Sequence, residues 1–217
     1  MSLIQDADAF RQAVLTFFQS DQALSGLAGA PETEDATLSL AEDHLKQVND
    51  AIAAPLSLNT SYTPAERPAL RYWDGLLASA DHPFDAVMET AQRIAPAIHW
   101  QMNKNYIGIL DGHFFDQECF TEIIGPNGLL YAETCRVGFL ILGQDVYYPA
   151  HHHEATELYH TVSGSGYWQQ GEGEEHPRPS GQPIFHAPWE SHAMRKTTPI
   201  LALWSWAGAI ESEAVFI

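Results

Sequence analysis

The chain changes character once, near Pro96, and that change limits its fold more than any other feature. Beyond it lie short runs rich in β-branched and aromatic residues, at 98–102, 120–124, 133–142, 158–162, 166–170, 183–187 and 201–206. Such residues suit a pleated, half-buried surface, and short runs bounded by Gly, Pro, Asn and Ser clusters read as strands. Seven of them predict a β-sandwich or barrel.

Before Pro96 the apolar residues recur at helical spacing. Phe10, Val14, Phe17 and Phe18 form one stripe. A Gly/Pro/acid stretch at 26–35 ends it. Ser39-Leu-Ala-Glu42 has capping-box spacing and predicts the start of a second helix, with Leu38, Leu45, Val48 and Ile52 on one face and Pro55 as its stop. Residues 59–68 read as loop. Leu70, Trp73 and Leu77 suit a helical face, and Asp81-His-Pro83 predicts a further helix carrying Phe84, Val87, Met88, Ala91 and Ile94. The expected organisation is a helical region over residues 1–96 packed on a mainly β barrel over 97–217.

Charge narrows the function classes. With 28 Asp+Glu against 10 Lys+Arg the net charge is -18, which opposes binding to nucleic acid or to an anionic membrane surface. Asp6 and Asp8 stand where a secretory signal needs basic and then apolar residues, and the longest aliphatic run, 137–142, is far short of a membrane span. A cytoplasmic monomer or homodimer is expected. The only cysteines, Cys119 and Cys135, form no disulfide framework or metal spacing.

The chemistry concentrates in Tyr147-Tyr-Pro-Ala-His-His-His-Glu-Ala-Thr-Glu-Leu-Tyr159. Side chains alternate along an extended chain, so His151, His153, Glu157 and Tyr159 share a face while His152 points away. Two imidazoles and a carboxylate suit a divalent first-row metal and leave coordination positions open. A fourth ligand must come from another strand, and the segment from His186 to His192 offers both of its end residues. Ser163-Gly-Ser-Gly166 lacks a strand–glycine–helix context and reads as a hairpin turn, and 171–175 as a solvated loop. Among the other histidines, His113 stands out because two phenylalanines follow it.

The segment His151-x-His153-x3-Glu157-x6-Gly164 resembles the first motif of the cupins, and Gly181, Pro188 and His192 resemble the second, with a short Pro-to-His spacing and no asparagine. The resemblance implies a double-stranded β-helix, or jelly-roll, barrel with His192 as fourth ligand and His186 as its competitor. Within that superfamily, Tyr148-Pro-x-His151-x-His153-x-Ala155-x-Glu157-x-Tyr159, then Pro188-x3-His192-Ala-Met194 and Leu201-Ala-Leu-Trp-x-Trp206-x-Gly208, resemble the dimethylsulfoniopropionate (DMSP) lyases of the DddQ/DddL type.

That resemblance implies a β-elimination assisted by one divalent transition metal ion, Zn2+, Fe2+ or Mn2+, acting on a small zwitterionic sulfonium carboxylate. Tyr159 is the expected base, since a nearby dication favours the phenolate over a phenol with a pKa of about 10. Tyr148 is the second candidate, because its parity puts it off the ligand face unless Pro149 distorts the strand. Aromatic faces serve a sulfonium cation, and Trp189, Trp204 and Trp206 are the candidates, with Tyr148. The rivals are an iron(II) dioxygenase with the same ligand set, a related enzyme acting on another small carboxylate, and a cupin that binds without catalysis.

Overall fold

The structure is a computed structural model that describes residues 2–27, 35–196 and 198–217. Most of the predicted Gly/Pro/acid break, at 28–34, lies outside the described residues.

Among the described residues, five α-helices precede the strands: α1 (Leu3–Phe18), α2 (Asp35–Ile52), α3 (Trp73–Ala78), α4 (Asp85–Ile94) and α5 (Gly112–Gln117). The α1 stripe is fully inside, since Phe10, Val14, Phe17 and Phe18 are all buried. Helix α2 begins at Asp35, so Ser39 lies within it and is not its cap. The predicted face still holds, with Leu45, Val48 and Ile52 buried. Around Leu70 the chain forms a 3-10 turn, Pro68–Tyr72, running into α3, and the residues turned inward are Ala69, Trp73 and Leu76. The five apolar residues predicted for the helix after Pro83 are buried in or just before α4.

Ten strands follow: β1 (Glu118–Ile124), β2 (Cys135–Leu142), β3 (Val146–His152), β4 (Thr156–Ser163), β5 (Gly166–Gln170), β6 (His176–Arg178), β7 (Pro183–His186), β8 (His192–Lys196), β9 (Ile200–Ala207) and β10 (Val215–Phe216). They form two five-stranded antiparallel sheets, ordered β1-β2-β9-β4-β7 and β10-β3-β8-β5-β6. Successive strands alternate between the sheets from β2 to β5, which is the jelly-roll winding of a cupin barrel. Residues 98–102, expected as a strand, make only isolated bridges after the 3-10 turn Ala95–Ala97. Strands β4 and β5 belong to different sheets, so 163–166 is a crossover and not a hairpin; Gly164, at φ 82°, makes the turn there.

The core has two parts. The helices cover the outer face of the first sheet, where Phe10 meets Phe139 with ring centroids 5.9 Å apart. Arg11, buried on α1, donates to the Ile52 carbonyl at 2.6 Å and so caps the C-terminus of α2. His44 on α2 reaches Thr156 Oγ1 and Ser205 Oγ, each at 2.8 Å, and ties the helix to β4 and β9. The second part fills the barrel and includes Tyr106, Tyr148, Tyr159, Trp168 and Trp204. Gly138 on β2 has no alternative there, because a Cβ would collide with the Thr121 carbonyl oxygen.

Candidate metal centre and its cavity

Three strands bring the candidate ligands together. His151 and His153 come from the end of β3 and the residue after it, Glu157 from β4 and His192 from the start of β8, where it pairs directly with His151. All four are buried. His153 Nε2 and His192 Nε2 lie 3.0 and 3.3 Å from Glu157 Oε2. These three atoms form one compact group able to hold a metal ion. His151 stands edge-on to His192, with ring centroids 4.2 Å apart, beside that group.

The other ring nitrogens explain why this is a metal-type arrangement. Nδ1 of His151 faces the Pro149 carbonyl at 2.8 Å, Nδ1 of His153 the Ala155 carbonyl at 2.9 Å, and Nδ1 of His192 the Glu190 carbonyl at 2.9 Å. A carbonyl only accepts, so each Nδ1 carries the hydrogen and each Nε2 is left as a lone pair. His192 Nε2 is buried and, among the described residues, meets no polar atom but the Glu157 oxygen 3.3 Å away. Lone pairs crowded against a carboxylate oxygen need a cation between them, and donating the second nitrogen is how proteins orient metal-binding histidines. Burial alone would raise Glu157, and positive charge at His153 and His192 would outweigh it and hold the carboxyl well below its ordinary value; a cation seated between neutral imidazoles has the same effect. Burial and the neighbouring His192 push His151 well down, which keeps it neutral.

His186, the competitor, is buried and stacks on His192 at 3.9 Å between centroids and 12° between planes. Neither of its ring nitrogens has a hydrogen-bond partner among the described residues, and it does not line the cavity. It buttresses the ring of His192.

Three of the four candidate ligands, His151, His153 and Glu157, line a cavity of about 290 Å³. Its walls include Phe120, Leu140, Tyr148, Tyr159, Trp204 and Trp206, and its mouth is framed by residues 101–105 and 212–214. The register shift of β3 between Tyr148 and His151 moves Tyr148 onto the ligand face, against strict alternation. Its ring stacks on His151 at 4.4 Å and its hydroxyl bonds that of Tyr106 at 2.8 Å. Burial, joined by the Glu157 charge and a hydrogen bond to it, pushes the Tyr159 phenol well above its ordinary value.

The tryptophans part company. Trp204 lies in the wall. Trp206 also lines the cavity, but its indole N–H donates to Glu157 Oε1 at 2.7 Å, so it orients a candidate ligand. Trp189 does not line the cavity: it is 52% exposed and packs on His152. His113 is exposed on α5 and does not line the cavity. Sequence reading misses Tyr106, Glu118, Glu122 and Arg136, all but the first of which line the cavity. The alternation Glu118, Phe120, Glu122 on β1 is a readable signal that one strand face carries acids inward.

The family model of dimethylsulfoniopropionate lyase matches residues 41–202. A curated relative, dimethylsulfoniopropionate lyase DddQ of Ruegeria pomeroyi, is 27% identical over 171 residues, covering 76% of this chain and 85% of that protein. A structure from a report on the DMSP lyases RdDddP and RnDddQII superposes over 100% of both chains, with a TM-score of 0.72 and 22% identity. The structure of DMSP lyase DddQ from R. pomeroyi DSS-3 covers 91% of this chain and 97% of its own, with a TM-score of 0.65 and 21% identity. These superpositions support the fold. Among the described residues, no helix is long and apolar enough to cross a membrane.

Proposed function

Because the chain belongs to the dimethylsulfoniopropionate lyase family, we propose that it cleaves DMSP to dimethyl sulfide and acrylate by a metal-assisted β-elimination. The observation that carries this reading is the convergence of His153 Nε2, His192 Nε2 and Glu157 Oε2 beside a cavity lined by His151, His153, Glu157 and two tyrosines. His151, His153, Glu157 and His192 are the residues that would hold the ion. Bound there, a divalent cation such as Zn2+, Fe2+ or Mn2+ supplies Lewis acidity toward the substrate carboxylate and the charge developing beside it.

The remaining work falls to the chain's own side chains. Tyr159 takes the proton from the carbon next to the carboxylate. The electrons of that C–H bond become the second carbon–carbon bond, and the C–S pair leaves with sulfur as neutral dimethyl sulfide, so no acid is required. Burial and Glu157 both oppose the Tyr159 phenolate, so it can act as a base only where a positive charge offsets them. Its position two residues after Glu157, on the same inward face, supplies that proximity. Tyr148 is the second candidate base, and its bond to Tyr106 also suits it to hold the substrate. Trp204 and Trp206 offer faces to the sulfonium, each worth about 0.5–2 kcal/mol.

A cytoplasmic setting and a small zwitterionic substrate belong to the same reading. Turnover without oxygen tests it against the dioxygenase alternative. The expected result is dimethyl sulfide and acrylate in equal amounts under strict anaerobiosis; substrate loss that requires oxygen would overturn it.

A further inference from the structure

The inward face of β1 presents Glu118, Phe120 and Glu122 to the cavity, and the two acids differ in how they are satisfied. Glu122 accepts the Asn127 N–H at 2.7 Å and lies 3.8 Å from Arg136. Glu118 is 1% exposed, and its Oε2 has no hydrogen-bond partner among the described residues. Buried polar atoms are nearly always bonded, so an unmet carboxyl oxygen on a residue that lines a cavity points to a ligand that occupies it.

Which ligand follows from the surroundings. A buried carboxyl short of a hydrogen-bond partner is completed by a positive charge brought beside it. Phe120 stands two residues along the same strand, and its ring lies 6.4 Å from that of Trp204, so aromatic surface adjoins the acid. The charge of Glu118 is felt by Tyr106, Tyr148 and Tyr159, which places it within electrostatic reach of the candidate base. Burial pushes Glu118 up to about 8 against the opposing pull of Arg67, and a cation delivered beside it reverses that shift.

We propose that Glu118 is the counter-ion for the sulfonium end of the substrate and sets the preference of the cavity for a cationic over a neutral tail. This rests on the lyase reading, in which the carboxylate end lies at His153, Glu157 and His192. The charge logic suits the reaction. Sulfur loses its positive charge as the C–S bond breaks, so Glu118 attracts the substrate and has no hold on the sulfide. An interaction stronger with substrate than with the transition state acts mainly on KM.

The test uses two ligands of the same shape, 3-(trimethylammonio)propionate and 4,4-dimethylpentanoate, which differ by one positive charge. Binding of each to metal-loaded protein is measured by calorimetry for wild type and Glu118→Gln. Wild type is expected to favour the cation by at least about tenfold, and the variant to lose most of that preference while still binding the neutral ligand. In turnover, Glu118→Gln should raise KM for DMSP and leave kcat unchanged or slightly raised. A preference that survives in Glu118→Gln, or that wild type never had, would overturn the assignment. If the preference depends on Glu118 but wild type releases no dimethyl sulfide, the counter-ion stands and the lyase reading falls.

Discussion

Trp206 donates its indole N–H to Glu157 Oε1 at 2.7 Å, while the other oxygen, Oε2, faces His153 and His192. One carboxylate is thus split between an orienting partner and the candidate metal. Trp206→Phe keeps a ring in the wall but deletes the donor. Metal affinity, measured by competition with a chromophoric chelator, is expected to fall by about 10- to 100-fold, as for other lost partners of metal ligands. Unchanged affinity would show that Glu157 needs no orientation from β9.

Two buried groups give the stability of this protein opposite pH slopes. His160 donates through Nε2 to the Ala23 carbonyl at 2.7 Å, lies against Phe17 and Phe84, and burial lowers it from 6.5 to about 4. Its contribution is present above 6.5 and lost as pH falls toward 4. The stability gap between wild type and His160→Gln should therefore shrink through that window by about 1.4 kcal/mol per pH unit, read from urea unfolding. Glu118 is raised from 4.5 to about 8, so its cost is absent below 4.5 and grows as pH rises toward 8. Glu118→Gln should accordingly gain on wild type as pH rises across that range. A gap that stays constant with pH for either variant would contradict the burial assigned to that group.

The helical region at 1–96 and the barrel at 97–217 are proposed to unfold as one unit, because residues of both share the core around Phe10 and Phe139. Phe10→Ala should cost about 3–5 kcal/mol and lower the single transition as a whole. Two separate transitions, with only one moved, would show that the helices and the barrel are independent.

Parity makes two candidate pairs legible in the sequence, His151 with His153 and Glu157 with Tyr159, because side chains alternate along an extended chain; that the pairs meet depends on the turn between β3 and β4. The same rule misplaces Tyr148, since the register shift around Pro149 and Ala150 reverses alternation there. Helix faces are readable from apolar spacing, as Phe84 to Ile94 illustrate, whereas the start of α2 is not: Ser39-x-x-Glu42 has capping spacing yet sits inside the helix. Trp189 and Trp204 are equivalent as residue types, and only the barrel winding separates an exposed ring from a wall. Glu118 carries no local pattern linking it to Glu157, because their sharing one cavity depends on how β1 and β4 fold around the same interior.

DMSP cleavage is proposed to be a metal-assisted elimination with Tyr159 as base. The most direct measurement is headspace detection of dimethyl sulfide from DMSP, using wild type, chelator-treated protein reconstituted with Zn2+, Fe2+ or Mn2+ in turn, and the Tyr159→Phe, Tyr148→Phe and His153→Ala variants. Sulfide should appear with wild type, vanish with chelator and return with at least one metal. It should fall by at least about 100-fold in Tyr159→Phe and His153→Ala, and by less in Tyr148→Phe. No sulfide with any metal would contradict the substrate assignment, and full activity in Tyr159→Phe would contradict its role as the base.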